Sequence, residues 1–408
     1  MSFLKIGLRN LFRQKRRTVI SLMVIIFGVG ILLLTLGHSR YISWGLREMT
    51  IHSETGHLQV FHRKFYEGDE ETFLQFGLED YGKMRLEIGR LEGVALVLAR
   101  VELMGLISNG EKSVACIGQA VEPELEKQLR QRARLSDDMF DPFLAVDNME
   151  VIALGKELAS SLNVRRGDFV TLMVTTANGA LNAMDLQVAG TFSGFSPEYE
   201  ARAILMPLQT ASILLNTKKV RNLIVALEET SLTESMAGRV NRLLQEKGYQ
   251  TTVREWPELA VYYKKVKQFY NQITGFLSLA LFLIILFSTS NTIIMAVMER
   301  TREIGTLLSL GTSRFQVFKS FLFEGFFIGL FGGILSLLFA LAVSFFINRL
   351  QIILPPAPGQ TSGYPLLIRN EWVFFAWVFL ATIIVSTLSS FLPALRVTRL
   401  KIIKALSD

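Results

Sequence analysis

Disulfide chemistry is excluded first: Cys116 is the one cysteine among 408 residues, so no internal bridge can form and no redox compartment is dictated. It is expected to be a small buried side chain. Histidine is almost as scarce, and His38, His52, His57 and His62 are the whole complement. A spacing of five puts successive side chains on opposite faces of a strand, or about 140° apart on a helix, so they do not converge as an i, i+4 ligand pair would. No metal site is expected. The chain also lacks a Gly-x-Ser-x-Gly elbow, a Cys/His pair and a regularly spaced carboxylate pair, which leaves no catalytic residues to name. The acidic group Asp137, Asp138 and Asp141 reads as solvated surface. Gly77 to Met84 carries the glycine and lysine spacing of a phosphate-binding loop, but Met84 stands where a hydroxyl must hold magnesium. Glu79 and Asp80 also lie where phosphate would approach. No cofactor is expected in this chain, and any nucleotide that drives it is bound by another polypeptide.

A basic stripe for nucleic acid is missing too. The formal charge is +7, yet residues 41 to 268 hold 26 Lys and Arg against 31 Asp and Glu. The remainder holds 17 against 5. The basicity therefore flanks apolar spans, as it does in membrane proteins, and nucleic acid is not an expected partner.

What is abundant is long apolar sequence. About 20 apolar residues are needed for a helix to cross a hydrocarbon core. Four stretches qualify: about Val19 to Leu36, 273–298, 320–347 and 372–392. Cationic flanks stay on the cytoplasmic side. Lys5, Arg9, Arg13, Lys15, Arg16 and Arg17 precede the first span, Arg300, Arg302, Arg314 and Lys319 fall in the loop 299–319, and Arg396, Arg399, Lys401 and Lys404 follow the fourth. Alternating spans put these three segments on one side, so both termini are expected in the cytoplasm of a bacterial inner membrane protein. Leu4, Leu8 and Leu11 beside the basic row suggest a short headgroup helix, making 1–40 an amphipathic segment plus the first span. The apolar core lacks a small-residue cleavage site after it and is expected to be retained as an anchor.

Residues 41–268 read as one large extracytoplasmic α+β segment with two interleaved subdomains. Strand alternation runs over 56–61, 96–107 and 112–117, with Asn109-Gly110 as a hairpin turn. Helices are expected near 123–133, 156–162, 207–215 and 232–247, the last stopped by Gly248. From 269 onward the chain is a permease-like block: the second span, the loop 299–319, the third span, an external loop 348–371 with a Pro/Gly-rich tip, the fourth span and a tail. In the third span Gly325, Gly329 and Gly333 recur every fourth residue, which lets another helix approach closely. Glu324 lies one turn inside that span and needs a partner, for which Arg302, Arg314 and Lys319 are the candidates. The polar runs Ser288 to Thr292 and Ser386, Thr387, Ser389 and Ser390 must face helices or a cavity.

The loop reads Glu299-Arg300-Thr301-Arg302-Glu303-Ile304-Gly305, then Leu307-Leu308-Ser309-Leu310-Gly311, then Leu322-Phe323-Glu324-Gly325. This arrangement, with the tail Leu392-Pro393-Ala394-Leu395-Arg396, resembles the FtsX-like permease domain of ABC transporters. Gly155-Lys156-Glu157-Leu158-Ala159, Val188-Ala189-Gly190-Thr191-Phe192 and Met206-Pro207-Leu208 resemble the MacB-type periplasmic core. Gly56-His57-Leu58-Gln59-Val60 leans toward the lipoprotein-releasing (LolC/LolE-type) branch. The resemblance implies a type VII ABC transporter fold: four transmembrane helices with the α+β domain inserted between helices 1 and 2. It implies a non-catalytic permease subunit working by mechanotransmission on a lipoprotein or other hydrophobic cargo. The implied partners are an ABC ATPase subunit that binds ATP and Mg, a second permease subunit, the bilayer, and a periplasmic carrier or lipoprotein. Glu299, Arg300, Arg302, Glu303, Ile304, Gly305, Leu308 and Gly311 would seat in the ATPase. The alternative is an FtsX-like relay that activates a periplasmic partner such as a hydrolase.

Overall fold

The computed structural model describes residues 13, 15–65, 76–132, 150–193, 197–355 and 364–398. The expected headgroup helix, the acidic group at 137–141 and the basic tail beyond 398 lie outside the described residues. In chain order the elements are α1 (Lys15–Thr50), β1 (Leu58–His62), α2 (Tyr81–Gly89), β2 (Val94–Ser108), β3 (Ser113–Val121), α3 (Pro123–Arg132), β4 (Val151–Gly155), α4 (Lys156–Leu162), β5 (Phe169–Thr175), β6 (Leu181–Phe192), β7 (Ala203–Pro207), α5 (Leu208–Leu214), β8 (Asn222–Leu227), α6 (Thr233–Glu246), β9 (Thr251–Glu255), α7 (Val261–Glu299), α8 (Thr301–Ser309), α9 (Arg314–Leu350) and α10 (Trp372–Thr398). Two compact units result: 1–43 with 266–354 and 365–408, and 44–265 with 355–364.

The first unit contains the four apolar helices α1, α7, α9 and α10, each long enough to cross a bilayer. The helices outrun the apolar runs. α1 continues to Thr50 and closes in a π turn, Ile51–Thr55, and α7 begins at Val261, twelve residues before its apolar span. Hydropathy marks only the part of a helix that meets lipid, and nothing in the polar extensions breaks the backbone pattern.

The second unit is built on nine strands. β3, β7, β4, β6, β5 and β2 follow one another, and β2 pairs back to β3, closing a six-stranded ring. A second sheet runs β2, β8, β1, β9. The 15-residue β2 belongs to both: Val94 to Arg100 pairs with β8, and Val101 to Ser108 pairs with β3. Alternation explains how one strand serves two cores. Val97, Ala99, Val101, Leu103 and Ile107 point into the main core, while Met104 and Leu106 between them are exposed. Leu98 faces the other way onto Leu129 of α3 and Ile224 of β8. The Asn109-Gly110 hairpin forms as its sequence predicts: the Asn109 side chain accepts from the Lys112 amide at 2.7 Å, and Gly110 takes φ 91°. α6 buries Thr233, Met236, Val240 and Leu244, one helical stripe, and Gly248 at φ 82° ends it.

The residues set aside above have ordinary places. Cys116 is 2% exposed, and burial pushes its thiol up to about 12. Lys83 pairs with Asp80 at 3.1 Å on the first turn of α2. His57 is buried, accepts at Nδ1 from the Leu227 amide at 3.1 Å and reaches Thr230 Oγ1 through Nε2 at 3.2 Å. Among the described residues no group of His, Cys, Asp and Glu is placed to hold a metal.

Burial, and secondarily the positive groups His52, Arg132 and Arg47, lower His57 from 6.5 to about 4. The folded domain thus holds it neutral where the unfolded chain is protonated. Its contribution is complete above pH 6.5 and is lost as the pH falls toward 4. The loss amounts to about 3 kcal/mol. Thermal unfolding of the solubilised chain is expected to show a fall in Tm from pH 7 to pH 5 that His57→Gln makes shallower. An unchanged pH slope in that variant would remove His57 from the account.

Candidate coupling site

The connection between α7 and α9 is a short helix, α8, with turns at both ends. Its start is set by the break at Arg300, and its end by Gly311, whose φ of 93° favours glycine. α9 then opens on a capping box: the Ser313 hydroxyl accepts from the Gln316 amide, and the Gln316 side chain accepts from the Ser313 amide at 2.9 Å. The third helix therefore begins at Arg314, six residues before its apolar run, and shortens the loop expected over 299–319.

This connection has two sides. Ile304, 4% exposed, packs with Ile293, Ala296, Val297, Val317, Phe318, Phe321 and Ala394, and Leu308 lies against the same cluster. Gly305 is buried and Arg300 is 7% exposed. Glu299, Arg302, Glu303 and Gly311 are exposed, as are Leu307, Leu310 and Phe315. The eight residues singled out from the sequence therefore separate. Arg300, Ile304, Gly305 and Leu308 face their own protein, and the outward apolar side chains are Leu307, Leu310 and Phe315. A helical wheel does not show which apolar stripe the neighbouring spans will cover.

Charge fixes the connection from two directions. Arg13 Nη2 meets Glu303 Oε1 at 2.7 Å, with a second bond from Nη1 to Oε2 at 3.2 Å. Arg17 pairs with Glu299. The arginines at the start of α1 thus hold both acidic residues of the connection, a contact that a reading based on headgroups misses. Glu324 finds its partner in Arg300, Nη1 to Oε2 at 3.9 Å, both side chains buried. Arg302, Arg314 and Lys319, the sequence candidates, are exposed. Arg300 prevails because the break between α7 and α8 turns it inward toward α9.

The glycines of α9 sit against α10. A Cβ on Gly325 would meet Ser390 and Ser386, one on Gly329 would lie 2.9 Å from the Ile383 Cα and 3.2 Å from the Thr382 carbonyl, and one on Gly333 would lie 2.8 Å from the Phe379 ring. Ser386 Oγ donates to the Gly325 carbonyl at 2.8 Å. The polar run of α7 is used the same way. Pro393 inside α10 has no amide for the carbonyl four residues back, and Ser290 Oγ donates to that Ser389 oxygen at 2.6 Å. Ser21 and Thr292 join α1 to α7 at 2.5 Å. Gly329→Val should force α9 and α10 apart, because the facing atoms are backbone and cannot rotate away. A loss of about 1–3 kcal/mol is expected, read as a lower Tm in detergent. An unchanged Tm would mean the helices do not pack this way.

These features define a multi-pass membrane protein of the permease class, with an α+β domain inserted between its first and second spans. Residues 18–243, more than half of the chain, match the MacB-like periplasmic core domain, and residues 275–402 match the FtsX-like permease C-terminal domain. The chain belongs to this MacB/FtsX-type family of ABC transporter permeases, an inner-membrane architecture of type VII with a periplasmic domain. Among its relatives, the ABC transporter permease YtrF of Bacillus subtilis is 31% identical over 28% of this chain and 27% of its own length. The macrolide export ATP-binding/permease protein MacB of Wolinella succinogenes is 26% identical over 52% of this chain and 32% of its own. The matched stretches thus span a third or less of these relatives. The extracellular domain of the ABC-type transporter YknZ from Gram-positive bacteria covers 48% of this chain with 99% of that structure, TM-score 0.34 and 13% identity. The periplasmic region of MacB from Actinobacillus actinomycetemcomitans covers 52% with 95%, TM-score 0.34 and 11% identity.

Proposed function

We propose that this chain is a permease subunit that couples ATP hydrolysis on an ABC ATPase to movement of its periplasmic domain, acting with a second permease subunit. The observation that carries this reading is the connection 299–311. It is a short helix fixed to its own spans by Ile304, Leu308 and the pairs to Arg13, Arg17 and Glu324, yet it leaves Leu307 and Leu310 outside that core. A rigidly held helix with unpartnered leucines suits a load-bearing contact. A push on α8 reaches α1 through two ion pairs, α9 through the buried pair and α10 through the glycine seam. Among the described residues the bundle carries no chain of ionisable groups for ion coupling, which favours mechanotransmission on a hydrophobic or lipid-anchored cargo, with a lipoprotein as the specific candidate. The test is to purify the chain with its candidate ATPase and second permease and measure ATP hydrolysis with and without the periplasmic domain. Hydrolysis should persist without it while release of a lipid-anchored substrate from membrane vesicles stops. Release that continues would overturn the reading.

A further inference from the structure

Arg100 stands at a junction that neither the permease class nor the coupling connection explains. It is the last residue of β2 paired with β8, opposite Asn222, and the next residue, Val101, is the first paired with β3, opposite Ala120. The side chain thus sits at the step between the two sheets. Arg100 is 6% exposed, and its guanidinium makes a two-pronged pair with Glu126 of α3, itself 1% exposed: Nε donates to Oε1 at 2.5 Å and Nη2 to Oε2 at 2.7 Å. The same group donates to the Glu54 carbonyl at 2.6 Å and the Ser53 carbonyl at 3.1 Å. Both carbonyls belong to the π turn that ends the first transmembrane helix.

Neighbouring carbonyls at that turn are met by protein groups as well. The Thr50 carbonyl accepts from Thr55 Oγ1, the Ile51 carbonyl from the Gly56 amide, and the Thr55 carbonyl from Gln59 Nε2. Asn222, the residue opposite Arg100, donates to Gln59 Oε1 at 2.7 Å. Helix ends ordinarily give their last carbonyls to water or to one capping residue. Burying two charges for the purpose is costly and is a poor way to gain stability alone. A bidentate guanidinium does resist displacement in a way that a single neutral hydrogen bond does not. The helix so held also carries Arg17 near its other end, paired with Glu299 of the coupling connection.

We infer that Arg100 and Glu126 are positioning residues that fix the end of the first helix to the one strand shared by both sheets, so that movement of the helix is delivered to both sheets at once. The inference rests on the force-transmission reading above. A suitable test compares amide hydrogen exchange of the assembled transporter with and without ATP and vanadate. The unsubstituted protein is compared with Arg100→Met combined with Glu126→Leu, a pair that keeps volume and leaves no buried charge. In the unsubstituted assembly, trapping should change exchange in β1 to β3 by about tenfold. The double variant should fold, hydrolyse ATP within about twofold of the parent, and lose that response, while Arg100→Lys retains part of it. A full response in the double variant would overturn the inference but leave the coupling reading standing. Absence of any response in the unsubstituted assembly would overturn both. A double variant that fails to assemble would show the pair to be structural and would also overturn it.

Discussion

Leu307→Asp combined with Leu310→Asp is expected to abolish recruitment of the ATPase while the permease folds as before. The two side chains are 48% and 78% exposed and lie outside the core formed by Ile304. Removing them therefore leaves no cavity. At an interface the balance differs: each leucine buried against a partner is worth about 1.5–3 kcal/mol, and a carboxylate in its place adds a desolvation cost. Together the two substitutions should weaken binding by at least about 100-fold. Affinity for the purified ATPase and the Tm of the permease, measured side by side, check the prediction. Ile304→Asp is the contrast. It places an unpaired charge in a core position, so Tm and affinity should fall together. Equal affinity of the Leu307/Leu310 variant and its parent would exclude these leucines from the contact.

Arg300→Ala is expected to have the largest effect on the fold of the membrane unit. Arg300 and Glu324 are both buried, and the guanidinium lies 3.9 Å from Glu324 Oε2. Deleting one member leaves the other buried without its counter-charge, a loss of up to about 3–5 kcal/mol for soluble proteins and less where the remaining carboxyl takes up a proton. Arg300→Met combined with Glu324→Leu removes both charges and should recover most of it. The recovery distinguishes a requirement for compensation from a requirement for the ions themselves. If Arg300→Ala melts with its parent, the pair contributes nothing. If the double variant is as unstable as the single, the loss comes from packing.

The sequence makes some of this visible and hides the rest for identifiable reasons. The four spans are legible because lipid imposes a length and a composition. The Asn109-Gly110 hairpin and the Gly248 stop are legible because their backbone angles demand those residue types. The glycine repeat of α9 announces a close helix contact, although only the structure identifies α10 as the neighbour. Pairings over long sequence distances do not show. Arg13 with Glu303 spans 290 residues, and Arg17 reads as one more cation in a basic flank. Arg100 and Glu126 look like ordinary surface charges until β2 is seen to serve two sheets. The amphipathic character of the connection 299–311 is legible from charge and periodicity, but which face is outward depends on how Ile293, Phe318 and Phe321 approach it.

The central claim is that the connection 299–311 faces the cytoplasm and is covered there by an ATPase. Its most direct test is the labelling of Leu310→Cys with a membrane-impermeant maleimide. The native thiol, Cys116, is buried and its titration is pushed up to about 12, so it should stay unlabelled. The account predicts no labelling in sealed right-side-out membranes, full labelling in inside-out vesicles, and protection when the ATPase is bound. Labelling from the outer face, or none of the expected protection in the assembled complex, would contradict it.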